Sequence, residues 1–412
     1  MNFQPKFDSG APIPDLMTPE EEDRRSRRIL FRLSLVGFVT ALVARAVDPI
    51  VPPIARELAV DPNSVALLST AFALPFALVQ PILGPVADMV GKIRVMLVCL
   101  AVLLGATLLC AFATNYSTLL VARIIAGVAS GGIFPVGIAV IGDLIPMKER
   151  QVAIGRWLTA VISGNLLGAT LAGLISDIAG WRAVFYFFSA GGLFALVTAI
   201  VTLRAAARDH VTRFDLAGIP KRYLAVLANP RAKVCFGAVF TEGIVIFGLF
   251  PFVALLLFAG GEGRSSIAGL VLAGFSIGGI LYALTVRVLV AHWRADQLMI
   301  AGGIVAGLAL GVAALELSWP VQLAAFMVLG FGFYTLHGSI QVQVTELSTQ
   351  ARGAAVSLHS FSFFVGHASG PVLYGIGIAN FGAGATLTAT ATVIVVVGLI
   401  AARLLRERRS PI

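Results

Sequence analysis

The chain has 412 residues, of which 58% are hydrophobic and 12% charged, with a formal net charge of +9. A soluble domain carries about 25% charged residues, so this composition excludes an ordinary water-exposed fold. A membrane-crossing helix needs about 20 mostly apolar residues at 1.5 Å rise each. Residues 1–28, Pro- and acid-rich as far as residue 22, read as a flexible tail. Six apolar runs follow within 29–203, at roughly 30–54, 64–86, 95–114, 117–141, 152–176 and 183–203. A polar, basic linker marked by Pro220 and Pro230 occupies 204–232. Six more runs fill 233–405, at roughly 233–258, 266–290, 297–317, 319–343, 353–377 and 384–404, and 406–412 is a short polar end. The strict alternation of membrane β-strands is absent, which leaves helices as the spanning element. The sequence therefore predicts an all-α polytopic membrane protein with twelve transmembrane helices, six on each side of the linker.

The cations follow this topology. With the N-terminus placed in the cytoplasm, 25 of the 30 Lys and Arg residues fall on the inner side and three, Arg56, Arg182 and Arg264, on the outer side. Arg45 and Arg123 remain within apolar runs. That asymmetry satisfies the positive-inside rule with both termini cytoplasmic. No basic patch interleaved with aromatics is present, so nucleic acid is not an expected partner; the expected surroundings are the lipid bilayer. Trp157, Trp181, Trp293 and Trp319 stand at run ends and read as interfacial anchors. Cys99, Cys110 and Cys235 lie in apolar runs with no metal-ligand or disulfide spacing, and no metal site is expected. A twin-arginine-like stretch, Ser26-Arg27-Arg28, reads as the basic flank of the first helix rather than a cleaved signal, because eleven further spans follow.

Between the second and third runs, residues 84–94 read G-P-V-A-D-M-V-G-K-I-R. Gly84, Asp88, Gly91, Lys92 and Arg94 in this order resemble the signature loop of the major facilitator superfamily of transporters. Leu119 through Gly132, an Arg followed by glycines, resembles that family's fourth-helix motif, and Gly180-Trp181-Arg182 with Phe185 is a weaker marker. Asp48-Pro49 with Pro52-Pro53 looks like the helix-1 motif of its proton-coupled exporters. Helix 5 departs from the exporter pattern. It reads Gly164-Asn-Leu-Leu-Gly168-Ala169, with alanine where the motif has proline, and a Gly-Pro step appears instead at Gly370-Pro371 on helix 11. The resemblance spans residues 29–405 and implies two six-helix bundles related by a pseudo-twofold axis, working as a monomer.

The two halves also resemble each other. A shift of 203 carries Gly127 onto Gly330 and Asp143 onto Glu346. A shift of 202 carries Arg150 onto Arg352 and Gly164, Gly168 and Gly173 onto Gly366, Gly370 and Gly375. Parallel repeats of this kind place the substrate site between the halves near mid-membrane.

Ionisable groups at bilayer depth are costly and face cavities or partners. Arg45 and Asp48 stand at i and i+3 on helix 1, and Asp48 and Arg123 lie at similar depth, so the three are expected to pair across the first bundle. Glu242 lies near the middle of helix 7; His337 and Gln341 stand at i and i+4 on helix 10. These six are the expected proton-coupling and cavity residues, on helices 1, 4, 7 and 10, which line the cavity in the family. Asn165 and His367 occupy matching repeat positions on helices 5 and 11 and are candidate substrate contacts. Gly84, Asp88, Gly91, Lys92 and Arg94, with Asp143, Glu149 and Arg150 after helix 4, form a candidate conformational latch on the inner side.

No phosphate loop or nucleophile elbow accompanies these residues, so neither an ATP-driven pump nor an enzyme is expected, and a proton gradient stands in place of a cofactor. The resemblance implies secondary transport in a bacterial inner membrane, by proton-coupled efflux (antiport) of small organic molecules or drugs. Two alternatives stay open: a proton-coupled importer of a sugar or other metabolite, and a non-transporting membrane sensor.

Overall fold

The computed structural model describes residues 19–145, 147–203, 218–348 and 351–406. Among these residues the regular structure is helical, and twelve spans are long and apolar enough to cross a membrane. In chain order the first half contains α1 (Pro19–Ala44), a 3₁₀ turn (Asp48–Ile50), α2 (Val51–Leu58), α3 (Pro62–Val90), α4 (Lys92–Phe112), α5 (Tyr116–Leu144), α6 (Met147–Ala179) and α7 (Trp181–Leu203). The second half contains α8 (Gly218–Leu227), α9 (Pro230–Glu242), a π turn (Gly243–Phe247), α10 (Phe250–Ala259), α11 (Ser265–His292), α12 (Ala295–Ala313), α13 (Trp319–Thr345), α14 (Arg352–Phe381) and α15 (Ala383–Leu404). The face carrying the start of α1 and the end of α15 is called the termini face, and the opposite one the far face. Helix α1 begins at Pro19, inside the segment read as a tail, and the short helix α8 occupies part of the expected linker.

Two spans expected to be continuous are broken, both by proline. Span 1 stops at Ala44 and resumes through the 3₁₀ turn into α2, with Pro49 in the turn and Pro52 and Pro53 at the start of α2. Span 7 widens into a π turn just before Pro251, where Gly248 N–H donates to the carbonyls of both Gly243 and Ile244, at 3.3 and 3.2 Å. Proline has no N–H for the carbonyl four residues back and its ring crowds that carbonyl, so the preceding turn opens.

The internal repeat is written in the packing. Gly164 on α6 lies against the carbonyl of Phe38 on α1, and Gly366 on α14 against that of Phe240 on α9. Gly168 meets Leu42 O and Gly370 meets Ile244 O. Each partner is displaced by 202, the same shift as its glycine. Gly127 against Phe72 O and Gly330 against Phe275 O obey the shift of 203. At each site a methyl group would overlap backbone, so the helices approach as closely as small-residue faces in membranes permit.

The halves are joined toward the far face. Gly173 and Gly269 seat α6 and α11 backbone to backbone. Thr70 Oγ1 on α3 donates to Ala368 O on α14 at 2.7 Å, with the Phe76 and Phe364 rings 4.5 Å apart in the same seam. Arg56 at the end of span 1 lies over Phe258 at the end of span 7, 5.6 Å from the ring centroid.

Two expected interfacial anchors are buried instead. Helix α6 starts at Met147, earlier than its apolar run, so Trp157 sits ten residues in and is fully buried against Gly37 and Gly137. Trp181 is buried at the far-face turn, where Gly180 adopts φ +83°. Its Nε1 donates to Glu57 Oε2 at 2.7 Å, while Arg182 pairs with Glu57 and donates to Ala113 O. The Gly-Trp-Arg marker thus closes the far end of the first bundle.

Candidate functional site

A cavity of about 330 Å³ lies between the halves. Its wall comes from spans 1, 2, 4 and 5 of the first half and 7, 8, 10 and 11 of the second. It runs from Asp48 and His367 toward Trp157, Gln341 and His359 on the termini side, and the far-face seams close its other end. Most of the wall is apolar, with many aromatic rings.

Asp48 stands where the proline-rich break turns span 1 inward. One carboxylate oxygen accepts from Ser69 Oγ at 2.7 Å and the other faces Arg45 Nη1 at 3.5 Å. Arg45 Nε donates to Asn165 Oδ1 at 3.3 Å, and Asn165 Nδ2 donates in turn to Val161 O. The Arg45 guanidinium also lies over two rings of the other half, Phe247 at 4.8 Å and Phe250 at 4.9 Å. A cation over an aromatic face is attracted by the ring quadrupole, more so when desolvated. Arg45 therefore links the acid of one half to the aromatic wall of the other.

Arg123 does not pair with Asp48. It is 1% exposed and spends its donors on backbone: Nη1 to Val43 O at 3.2 Å, Nη2 to Ala44 O at 3.5 Å and Nε to Leu68 O at 3.5 Å. Phe72 covers it at 4.4 Å. Val43 and Ala44 end α1, where Val43 O takes the N–H of Ala46 at 3.2 Å, no backbone donor among the described residues reaches Ala44 O, and both carbonyls carry the negative end of the helix dipole. Arg123 caps that broken end and does not line the cavity.

In the second half Glu242 is completely buried behind the wall, immediately before the π turn. Its Oε2 lies 2.7 Å from His337 Nδ1, and Oε1 has no protein partner. His337 lines the cavity, stacks on Phe333 at 4.9 Å and faces His359 at 4.9 Å between ring centroids. His367 also lines it, beside Phe247 at 5.2 Å. The buried His359 Nε2 and His367 Nδ1 have no protein partner. A carboxylate on Nδ1 fixes the imidazole tautomer and leaves Nε2 as the acceptor toward the cavity. Gln341 lines the termini-side end.

The candidate latch gathers in part. Gly91 turns the α3–α4 corner at φ +108°, which favours glycine. Lys92 Nζ reaches Asp143 Oδ2 at 2.7 Å, and Arg150 donates to Gly142 O and Met147 Sδ. Lys92 and Asp143 belong to the same half, so this pair ties a corner to its own bundle and does not clasp the two halves together. Arg94 is exposed and Glu149 half-buried on the same face. Gly84 falls within α3, and the side chain of Asp88 lies outside what the structure describes.

Sequence reasoning missed Ser69, His359, Trp157, Phe247 and Phe250. One signal was readable: His359, Phe363 and His367 are spaced i, i+4, i+8 and share a helix face. The aromatic partners of Arg45 come from another half of the chain, and nothing local announces them.

The Major Facilitator Superfamily matches residues 33–349. The chain is 24% identical over 351 residues to the quinolone resistance protein NorA of Staphylococcus aureus, covering 84% of this chain and 89% of that one. It is 27% identical over 244 residues to the MFS efflux transporter aclA of Aspergillus oryzae, 57% of this chain but only 44% of that larger protein. In fold it is similar to the crystal structure of a bacterial homologue of the human lysosomal transporter Spinster in an inward-facing, unoccupied conformation. That likeness has a TM-score of 0.78 at 17% identity, over 94% of this chain and 99% of the other. The aromatic cavity between two six-helix repeats and the family match over most of the chain agree: the protein belongs to the Major Facilitator Superfamily of transporters.

Proposed function

We propose that the protein exports small organic molecules across a bacterial inner membrane in exchange for protons, with both termini in the cytoplasm. The observation that carries this reading is the Arg45–Asp48 pair in the cavity wall, bridged to Phe247 and Phe250 of the other half. A buried carboxylate keeps its charge only while a cation and hydrogen bonds compensate it. Arg45 is that cation, and its other contacts lie across the interface that must part. Rocking of the halves therefore changes the charge balance at Asp48, which ties proton binding to conformation. Glu242 and His337 are a second proton-binding pair, sealed from the cavity except through the imidazole.

An aromatic wall of about 330 Å³ suits small, largely apolar molecules. The names of the relatives, an MFS efflux transporter and a quinolone resistance protein, support the outward direction. With the termini cytoplasmic, the state described here is inward-facing, closed on the periplasmic side. The expected assembly is a monomer.

Reconstituted vesicles with an imposed pH gradient test this reading. Fluorescent aromatic dyes should move against their gradient as protons move down theirs, and Asp48→Asn should abolish the proton dependence while leaving downhill dye movement. Wild-type coupling in Asp48→Asn, or dye and proton moving in the same direction, contradicts it.

A further inference from the structure

The N-terminus of α11 is capped from the other half of the molecule. Its own N-cap residue, Arg264, supplies no side-chain acceptor. The Arg264 guanidinium is held by Glu262, with Nε and Nη2 at 2.8 and 2.6 Å from the two carboxylate oxygens. The free N–H groups of Ser265 and Ser266 donate instead to Oδ1 and Oδ2 of Asp177, at 2.9 and 2.8 Å. Asp177 lies in the last turn of α6, in the first half. One turn earlier, Gly173 touches the Ser265 backbone so closely that a methyl group would overlap it, and Gly269 faces Ala169 O in the same way.

We propose that Asp177 is the far-face latch of the transport cycle, a helix cap supplied across the interface that exists only while that face is closed. The proposal rests on the alternating-access reading above. The first N–H groups of a helix lack internal partners and carry the positive end of its dipole, so a carboxylate there is stabilising. When the halves part at the far face, α11 loses this carboxylate and water takes its place. The latch is one-sided. At the seam related by the repeat, the shift of 202 carries Asp177 onto Ala379, and Gly375 meets only the Phe252 ring, at 3.7 Å.

Spin labels at Phe112 and Leu315, 62% and 65% exposed at the far-face ends of the two halves, report the opening in the full-length protein in lipid. Asp177→Asn keeps the shape but removes the charge and one acceptor. The far-open population should rise about three- to tenfold, as expected for a charged but exposed hydrogen-bonding group. Gly173→Ala should shift the distances the same way by obstructing closure. Arg264→Ser and Arg264→Ala both remove a cation near Asp177, but only serine gives α11 a cap of its own, so Arg264→Ser should favour opening more than Arg264→Ala. Unchanged distances in both Asp177→Asn and Arg264→Ser, with a wild type that still switches between two distances with pH, overturn the latch alone. A wild type that holds a single distance at every pH and dye concentration overturns alternating access itself.

Discussion

Removing Arg123 separates a structural role from a coupling role within the membrane. Its three hydrogen bonds end on the backbone of Val43, Ala44 and Leu68, and its guanidinium covers Phe72. Only the bond to Val43 O is short, at 3.2 Å; the other two stretch to 3.5 Å. A charged hydrogen bond contributes about 1.5–3 kcal/mol, the two long ones less, and a desolvated cation–π contact about 1–2 kcal/mol. Truncation to alanine also leaves the partly buried Ala44 O without its donor, while Val43 O keeps the N–H of Ala46. The total for Arg123→Ala is about 3–5 kcal/mol, a drop in melting temperature on the order of 5–10 °C. Arg123→Lys keeps the charge but reaches fewer carbonyls, so it should recover part of that stability. The assay is thermal unfolding of purified protein in detergent, paired with proton-driven dye transport in vesicles at a temperature where the variant is folded. The capping role predicts lost stability in both variants and retained proton dependence in Arg123→Lys. An Arg123→Ala protein that melts like the wild type but no longer couples dye to protons would refute the reasoning.

Other outcomes follow from the same geometry. Glu242→Gln should leave dye binding within about threefold but shift the pH profile of transport, because the acid sits behind His337 and not in the wall; a large loss of affinity with an unchanged profile contradicts this. Gly127→Ala and Gly330→Ala should destabilise by similar amounts, about 1–3 kcal/mol, while Gly353→Ala, with open space around it, should be neutral in the same melting assay. Exchanging Lys92 and Asp143 should cost under about 1 kcal/mol, as for an exposed pair, with most transport retained.

Much of the architecture was legible because the bilayer constrains sequence so strongly. Twelve apolar runs follow from burying every backbone group of a span in lipid. The glycine shifts were legible for a related reason: Gly127, Gly164 and Gly168 and their counterparts all sit where helices touch backbone to backbone, a demand no larger residue meets. The breaks in spans 1 and 7 were marked by Pro49, Pro52, Pro53 and Pro251, yet hydropathy averages over such residues and reads through them. The site was legible only as a set of charged and polar residues, without their partners. Asp48 and Arg45 are three residues apart, so their pairing is local; Arg123 was misdirected because charge alone does not reveal that α1 ends nearby, with Val43 and Ala44 carbonyls turned toward it. Trp157 was misread because α6 starts before its apolar run and carries that ring into the cavity wall.

The most direct test of the central claim uses a cysteine at Ser276, which lines the cavity, in a protein whose three native cysteines are replaced. A membrane-impermeant maleimide applied to the termini face of resting vesicles should label it, and the same reagent applied to the far face should label it only when a proton gradient and dye drive turnover. Equal labelling from both faces at rest would describe a channel, and labelling from the far face alone would invert the closed side; either result contradicts the account.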